Sequence, residues 1–372
     1  MRRYRRLLTV PALLLLAVTV AGAERGGRKV IIDNDGFGMA EWLVVQAPGA
    51  DLLGVTQVTG NSWVKVGVAE ALRGLERAGR GDIPVVPGAT YPLLNTEQRT
   101  LRWERLYGRL TWKGAWHTEW VEDTEQSLPE YLGPDELPAQ LRWGRPTSTA
   151  ADEIAANFLI RTVREHPGEV TIIAMGPLTN LALAQRLDPA FAELARELVY
   201  MGGSLNPRQR RDSVAAKQFA REFVHTPRRE FNIRFDPEAA AIALRAPWRR
   251  ITMVPVDPST ATELTPALRA RLSAAATPIG EALADSETGF PLWDPIATGV
   301  WLEPALLSAS EEAFVDVNTQ FGPSYGDMLS WAPGYEPGLG ERRQLVVRDV
   351  DVPALEALME RLLNRPTPPS AR

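Results

Sequence analysis

Residues 29–45 read KVIIDNDGFGMAEWLVV. An apolar run, Val30 to Ile32, delivers two carboxylates, Asp33 and Asp35, into a glycine-bearing turn. Acids one residue apart at the end of a strand suit the handling of a metal ion or a phosphoryl group. Phe37, Gly38, Met39 and Ala40 follow, and only Glu41 adds further charge. Polar residues also close later apolar runs: Thr59-Gly60-Asn61, Met175-Gly176, Met201-Gly202-Gly203, and Asp294 within Leu292-Trp293-Asp294-Pro295. There is no cysteine, which excludes thiolate metal sites, disulfides and a cysteine nucleophile. The three histidines, His117, His166 and His225, share no metal-ligand spacing, so any metal here is hard and oxygen-ligated.

The elements that must position these groups alternate. The opening strand is followed by a helix beginning near WLVVQ, a strand in DLLGVTQVTGN, a helix over 64–80 and a short strand in DIPVVPGA. After an interruption come a helix over 150–164, the strand EVTIIAM, a helix opened by Gly176-Pro177, the strand ELVYMGG, the strand ITMVPVD and a closing strand–helix pair. This rhythm predicts an α/β fold: an open, mostly parallel, Rossmann-like sheet flanked by helices, formed by one large domain over 24–372. In such sheets ligands bind beyond the carboxyl ends of the strands, so the polar residues above converge on one rim. Residues 91–148 break the rhythm and hold five of the eleven tryptophans. Trp112, Trp116 and Trp120 stand four apart, as one stripe of a helix would, though Gly114 weakens that helix. This segment reads either as core packing or as a lid that stacks on a flat ligand.

The chain of 372 residues has a net charge of −5. MRRYRR followed by LLTVPALLLLAVTV and Ala21-Gly22-Ala23 has the layout of a signal peptide over 1–23, cut near Ala23. Its apolar run is too short for a stable membrane anchor. Its removal takes away four arginines and no acid, leaving 37 basic against 46 acidic residues. That balance argues against nucleic acid as a partner. The expectation is an exported protein, periplasmic or secreted.

Taken together, IIDND, LLGVTQVTGN, ERAGRGDIPVVPGA, EVTIIAMGPLTNLALA, VYMGG, EFNIRFDPEAA, WDPIATGV and the closing VDV…RDVDV resemble the inosine–uridine-preferring nucleoside hydrolases, from Lys29 to about Leu363. The resemblance implies cleavage of the N-glycosidic bond of ribonucleosides with a bound calcium ion. It implies that Asp35 is general base and metal ligand and that Asp33 is a neighbouring ligand or lies just behind the ligands. The carbonyl of Met175 and the carboxylate of Asp294 would also face the metal. Asn61, Glu230 and Asn232 match ribose-binding positions, with Met201 close by. Trp293 resembles the purine-type arrangement, in which tryptophan stacks on the base, and Trp103 is the expected second face of that sandwich. The expected partner is a small nucleoside or ribosyl ligand, with a homo-oligomer left open.

Two departures from the family pattern bear on activity. Its opening motif carries a second, adjacent aspartate pair, and those places hold Met39 and Ala40 here, with Glu41 the nearest substitute. An asparagine six residues before Glu230 is replaced by Val224. The alternative is therefore a family member that binds a nucleoside or ribosyl ligand without turnover. A haloacid-dehalogenase-type phosphatase, which also opens on D-x-D, lacks its later acidic pair, since Gly326-Asp327 offers one acid.

Overall fold

The computed structural model describes residues 27–116, 132–224 and 230–366. The expected signal peptide, and with it His117, Trp120 and His225, lies outside the described residues. Nine strands form one sheet: β1 (Arg28–Asn34), β2 (Ala50–Gln57), β3 (Val85–Pro87), β4 (Thr171–Ala174), β5 (Glu197–Met201), β6 (Ile251–Val254), β7 (Leu307–Val317), β8 (Met328–Trp331) and β9 (Arg342–Val350). Their order is β3-β2-β1-β4-β5-β6-β9-β7-β8. The first seven in that order are mutually parallel, while β7 runs antiparallel to both β9 and β8.

The central strands are apolar on both faces, because helices cover both sides of a parallel sheet. Side chains alternate along β1: Val30 and Ile32 enter one core layer, with Val44, Ile296 and Leu358. Ile31 enters the other, with Phe158, Leu181 and Leu198. Each such fully buried aliphatic side chain contributes about 1.5–3 kcal/mol. The helix Met39–Gln46 is buried at every position after Met39, wedged against the helix Trp293–Leu302.

The connections explain where a ligand can sit. From β1 the chain moves outward to β2 and β3, then returns to place β4 on the other side of β1. The switch point therefore lies between β1 and β4, where two successive connections leave in opposite directions and open a crevice. Asp35 leaves β1 there and Met175 leaves β4, tied by the bond from Met175 N–H to Asp33 C=O at 2.8 Å.

Three sequence expectations need correction. The chain end holds β7 and β8 besides the expected strand–helix pair, and β7 begins with the polar, largely exposed stretch Ser308–Glu312, which hides a strand from pattern reading. The helix foreseen from residue 150 starts at Ala155. The tryptophan stripe is not an α-helix where it is described, but a 3-10 turn at Gly114–Trp116.

Candidate active site

The rim residues are held by hydrogen bonds that the local sequence makes possible. Asp35 Oδ2 accepts from Asn61 N–H at 2.8 Å, and Oδ1 from Asn61 Nδ2 at 3.1 Å. This approach needs glycine at position 60, where a Cβ would stand 2.0 Å from Asp35 Oδ2. Asp33, one pleat away, points into the sheet instead. Its Oδ1 accepts from Thr56 Oγ1 and from Asn180 Nδ2 at 2.7 Å, joining β1, β2 and the helix Thr179–Leu187. Asp33 is fully buried and does not line the cavity described below; it lies behind it.

The other side of the rim is built by Asn34, Glu41 and Asp294. Asn34 Oδ1 accepts from Asp35 N–H at 2.9 Å, while its Nδ2 donates to Glu41 Oε1 at 2.6 Å and reaches Asp294 Oδ2 at 3.5 Å. Glu41 Oε2 caps its own helix by accepting from Gly38 N–H at 2.8 Å. Glu41 is thus a buried acid facing the site rather than an exposed first-turn acid. Sequence reasoning missed Asn34, whose place inside D-x-D was the available signal.

Glu230 and Asn232 lie deeper. Glu230 caps the short helix Phe231–Phe235, accepting from Asn232 and Ile233 N–H at 2.9 and 3.0 Å and from Gly203 N–H at 2.8 Å. Asn232 Nδ2 donates to the carbonyls of Met175 and Met201, both at 3.1 Å, and lies 3.4 Å from Met201 Sδ. One side chain therefore clips the ends of β4 and β5 together.

The rim opens onto a cavity of about 970 Å³. Asp35, Glu41, Asn61, Trp293 and Asp294 line it; Met175, Met201, Glu230 and Asn232 do not. Trp293 meets Phe219 edge-on at 5.0 Å between ring centroids. Trp103 does not reach the cavity. Its indole N–H donates to Gly322 C=O at 2.7 Å, and its ring packs with Leu110 and Tyr325. The aromatic wall comes from Phe37, Trp63 and Trp143, the last 5.0 Å from Trp42.

Electrostatics distinguish the rim from an ordinary surface. Burial pushes Asp35 and Glu41 up to about 7, against the hydrogen bonds from Asn61 and Asn34 respectively. Burial raises Asp33 to about 7 and also raises Glu230. Asp294 is raised well above the usual carboxylate range by burial and then by the charges of Glu41 and Asp35. The donors are hard oxygens, the right kind for calcium. Their spacing does not close into a cage: among the described residues no three acids or imidazoles gather closely enough to hold a metal ion. The Met175 carbonyl and the oxygens of Asp35 and Glu41 already accept hydrogen bonds within the protein. The calcium site implied by the resemblance is therefore not assembled in this arrangement.

A doubly wound sheet with an acid-lined cavity at its switch point defines the class: an α/β enzyme acting on a small ligand held against oxygen-bearing side chains. The particular family follows from comparison. The sequence profile of the inosine-uridine preferring nucleoside hydrolases matches residues 30–357, and the chain belongs to that family of N-ribosyl hydrolases. A probable uridine nucleosidase 1 of Oryza sativa subsp. japonica is 35% identical over 217 residues, covering 58% of this chain and 54% of that relative. A pyrimidine-specific ribonucleoside hydrolase of Escherichia coli O1:K1 / APEC is 26% identical over 315 residues, covering 80% and 86% respectively. A solved plant nucleoside hydrolase shares the fold, with a TM-score of 0.68, 24% identity, and coverage of 91% of this chain and 99% of that one.

Proposed function

We propose that this chain hydrolyses the N-glycosidic bond of ribonucleosides to free base and ribose, with purine nucleosides as the first substrates. The observation that carries the reading is Asp35, fixed through both oxygens by Asn61 on the wall of the cavity. Asp35 takes the proton of a water molecule as the water oxygen bonds to the anomeric carbon. The carbon–nitrogen bond breaks, its electron pair leaves with the base, and the base takes up a proton from solvent. A shifted value of about 7 suits a base working near neutrality. Positive charge developing on the sugar favours ionisation of Asp294 and Glu41 on the cavity wall, an interaction the neutral substrate does not make. No step runs through calcium, because the side chains as arranged do not enclose it.

Trp293 supports the purine preference, since a larger base offers more ring to stack on. The relatives named for uridine and pyrimidine nucleosides favour the second reading, a pyrimidine substrate. Export through residues 1–23 completes the proposal, with the mature chain beginning near Glu24.

The test is release of base from inosine, guanosine and uridine by the chain from residue 24, with and without added calcium. Wild type should release base, and Asp35→Asn should lose at least a hundredfold in kcat. No release from any nucleoside, alongside measurable nucleoside binding, would establish the non-turnover reading instead.

A further inference from the structure

Besides the residues it lends to the cavity wall, the tryptophan-rich segment makes a side-chain contact with the site that neither the core-packing nor the stacking expectation covers. Trp112 Nε1 donates to Asn61 Oδ1 at 2.7 Å. Asn61 is otherwise exposed, and an exposed side-chain amide facing a carboxylate in water is weakly fixed. An indole N–H can only donate, so it decides which amide atom meets it. Oδ1 is taken by Trp112, and Nδ2 is thereby turned to Asp35 Oδ1.

Trp112 is itself anchored. Its carbonyl accepts from Arg234 Nη2, a residue of the helix that Glu230 caps, and Trp116 stacks on Phe235 of that helix at 4.4 Å. Between them, Ala115 N–H donates to Gly60 C=O at 2.8 Å. Gly114 permits this approach: its φ is +60°, and a Cβ there would stand 2.2 Å from Gly60 C=O. The segment is thus pinned to both neighbours of the reacting group, the Gly60-Asn61 turn and the Phe231–Phe235 helix.

We propose that Trp112 is a positioning residue, which orients the Asn61 amide and through it the Asp35 carboxylate. Trp112 does not line the cavity; its contribution is the tether to Asn61. The proposal rests on the hydrolase reading for its kinetic test but has a structural readout of its own.

Trp112→Phe keeps the ring and removes the donor, and Asn61→Ala removes the amide. Trp112→Phe should lower kcat about tenfold, the scale of one lost hydrogen bond, with KM changed less than twofold. The double variant should fall no further than Asn61→Ala alone, because the two act in series. Losses that multiply, or a raised KM with kcat unchanged, would overturn the proposal. If wild type turns over no nucleoside, the hydrolase reading fails, and the side-chain amide resonances of Asn61 in ¹⁵N spectra still decide the matter. In wild type they should be dispersed and slow to exchange with solvent; in Trp112→Phe they should collapse toward free-amide positions. Identical resonances in both would overturn it.

Discussion

The two sides of the cavity are built on different terms. On the sheet side, the carboxylates on the cavity wall and behind it receive N–H donors at ordinary distances: Glu230, behind the wall, takes three backbone donors and Asp35, on it, takes two from Asn61. On the helix side, the hydrogen bond that reaches the Asp294 carboxylate among the described residues is a 3.5 Å contact from an amide already committed to Glu41. The first side is complete as protein. The second leaves Asp294 beside Glu41 and Asp35, whose charges raise it beyond what burial does, and a proton, a cation or a positively charging sugar can relieve it. The contrast separates residues that hold the scaffold from residues that wait for a ligand.

The largest consequence should appear in the pH dependence of stability in calcium-free buffer. Asp33, Asp35 and Glu41 sit near 7 in the fold, against ordinary values of 3.8, 3.8 and 4.5. The folded state therefore holds protons that the unfolded chain has already released. Stability from these groups is fully present below about pH 4, falls as pH rises through 7, and levels above that. Urea unfolding at pH 5, 6, 7 and 8 should show this decline, and added calcium should flatten it if the acids can rearrange around the ion. Rising stability from pH 5 to 8 would mean that these buried acids are compensated in the fold on both sides of the cavity.

Next in size is Glu230→Ala. It strands the N–H groups of Gly203, Asn232 and Ile233 in a buried place, so a loss of about 3 kcal/mol is expected by urea unfolding. The loss should be smaller at pH 8 than at pH 5, because burial raises this carboxyl and its contribution to stability falls as pH rises. A gain in stability at pH 8 would move Glu230 into the same class as Asp294.

The same contrast governs what could be read from sequence. β1, β2 and β4 to β6 were legible because strands buried on both faces are unbroken apolar runs, and the rim residues because they end those runs. The position of Glu41 was legible, but its burial was not. An acid in a first helical turn ordinarily faces water, and only the packing of Met39–Gln46 between sheet and helix turns it inward. β7 was hidden by its polar outer face. Trp112 was hidden because its reach depends on the positive φ of Gly114, which breaks the period-four stripe. Trp103 was misassigned because an indole in a pattern carries no direction; here its N–H is satisfied by Gly322 in a separate cluster.

The smallest effect, and the one of opposite sign, concerns Asp294. Replacing it with asparagine keeps the shape and removes an acid whose ionisation is opposed by burial and by the charges of Glu41 and Asp35. Relieving that cost stabilises, so Asp294→Asn should gain about 1 kcal/mol at pH 8 without calcium. Below pH 4 the gain should vanish, because the acid is then protonated in the folded and the unfolded chain alike. Turnover should fall in the same variant, since the field that favours a positive sugar is weakened. Stability and activity then move in opposite directions at one residue, whereas at Glu230 the substitution costs stability. If Asp294→Asn destabilises equally at both pH values, its carboxylate is held by partners in the manner of Glu230, and the division between the two sides of the cavity does not stand.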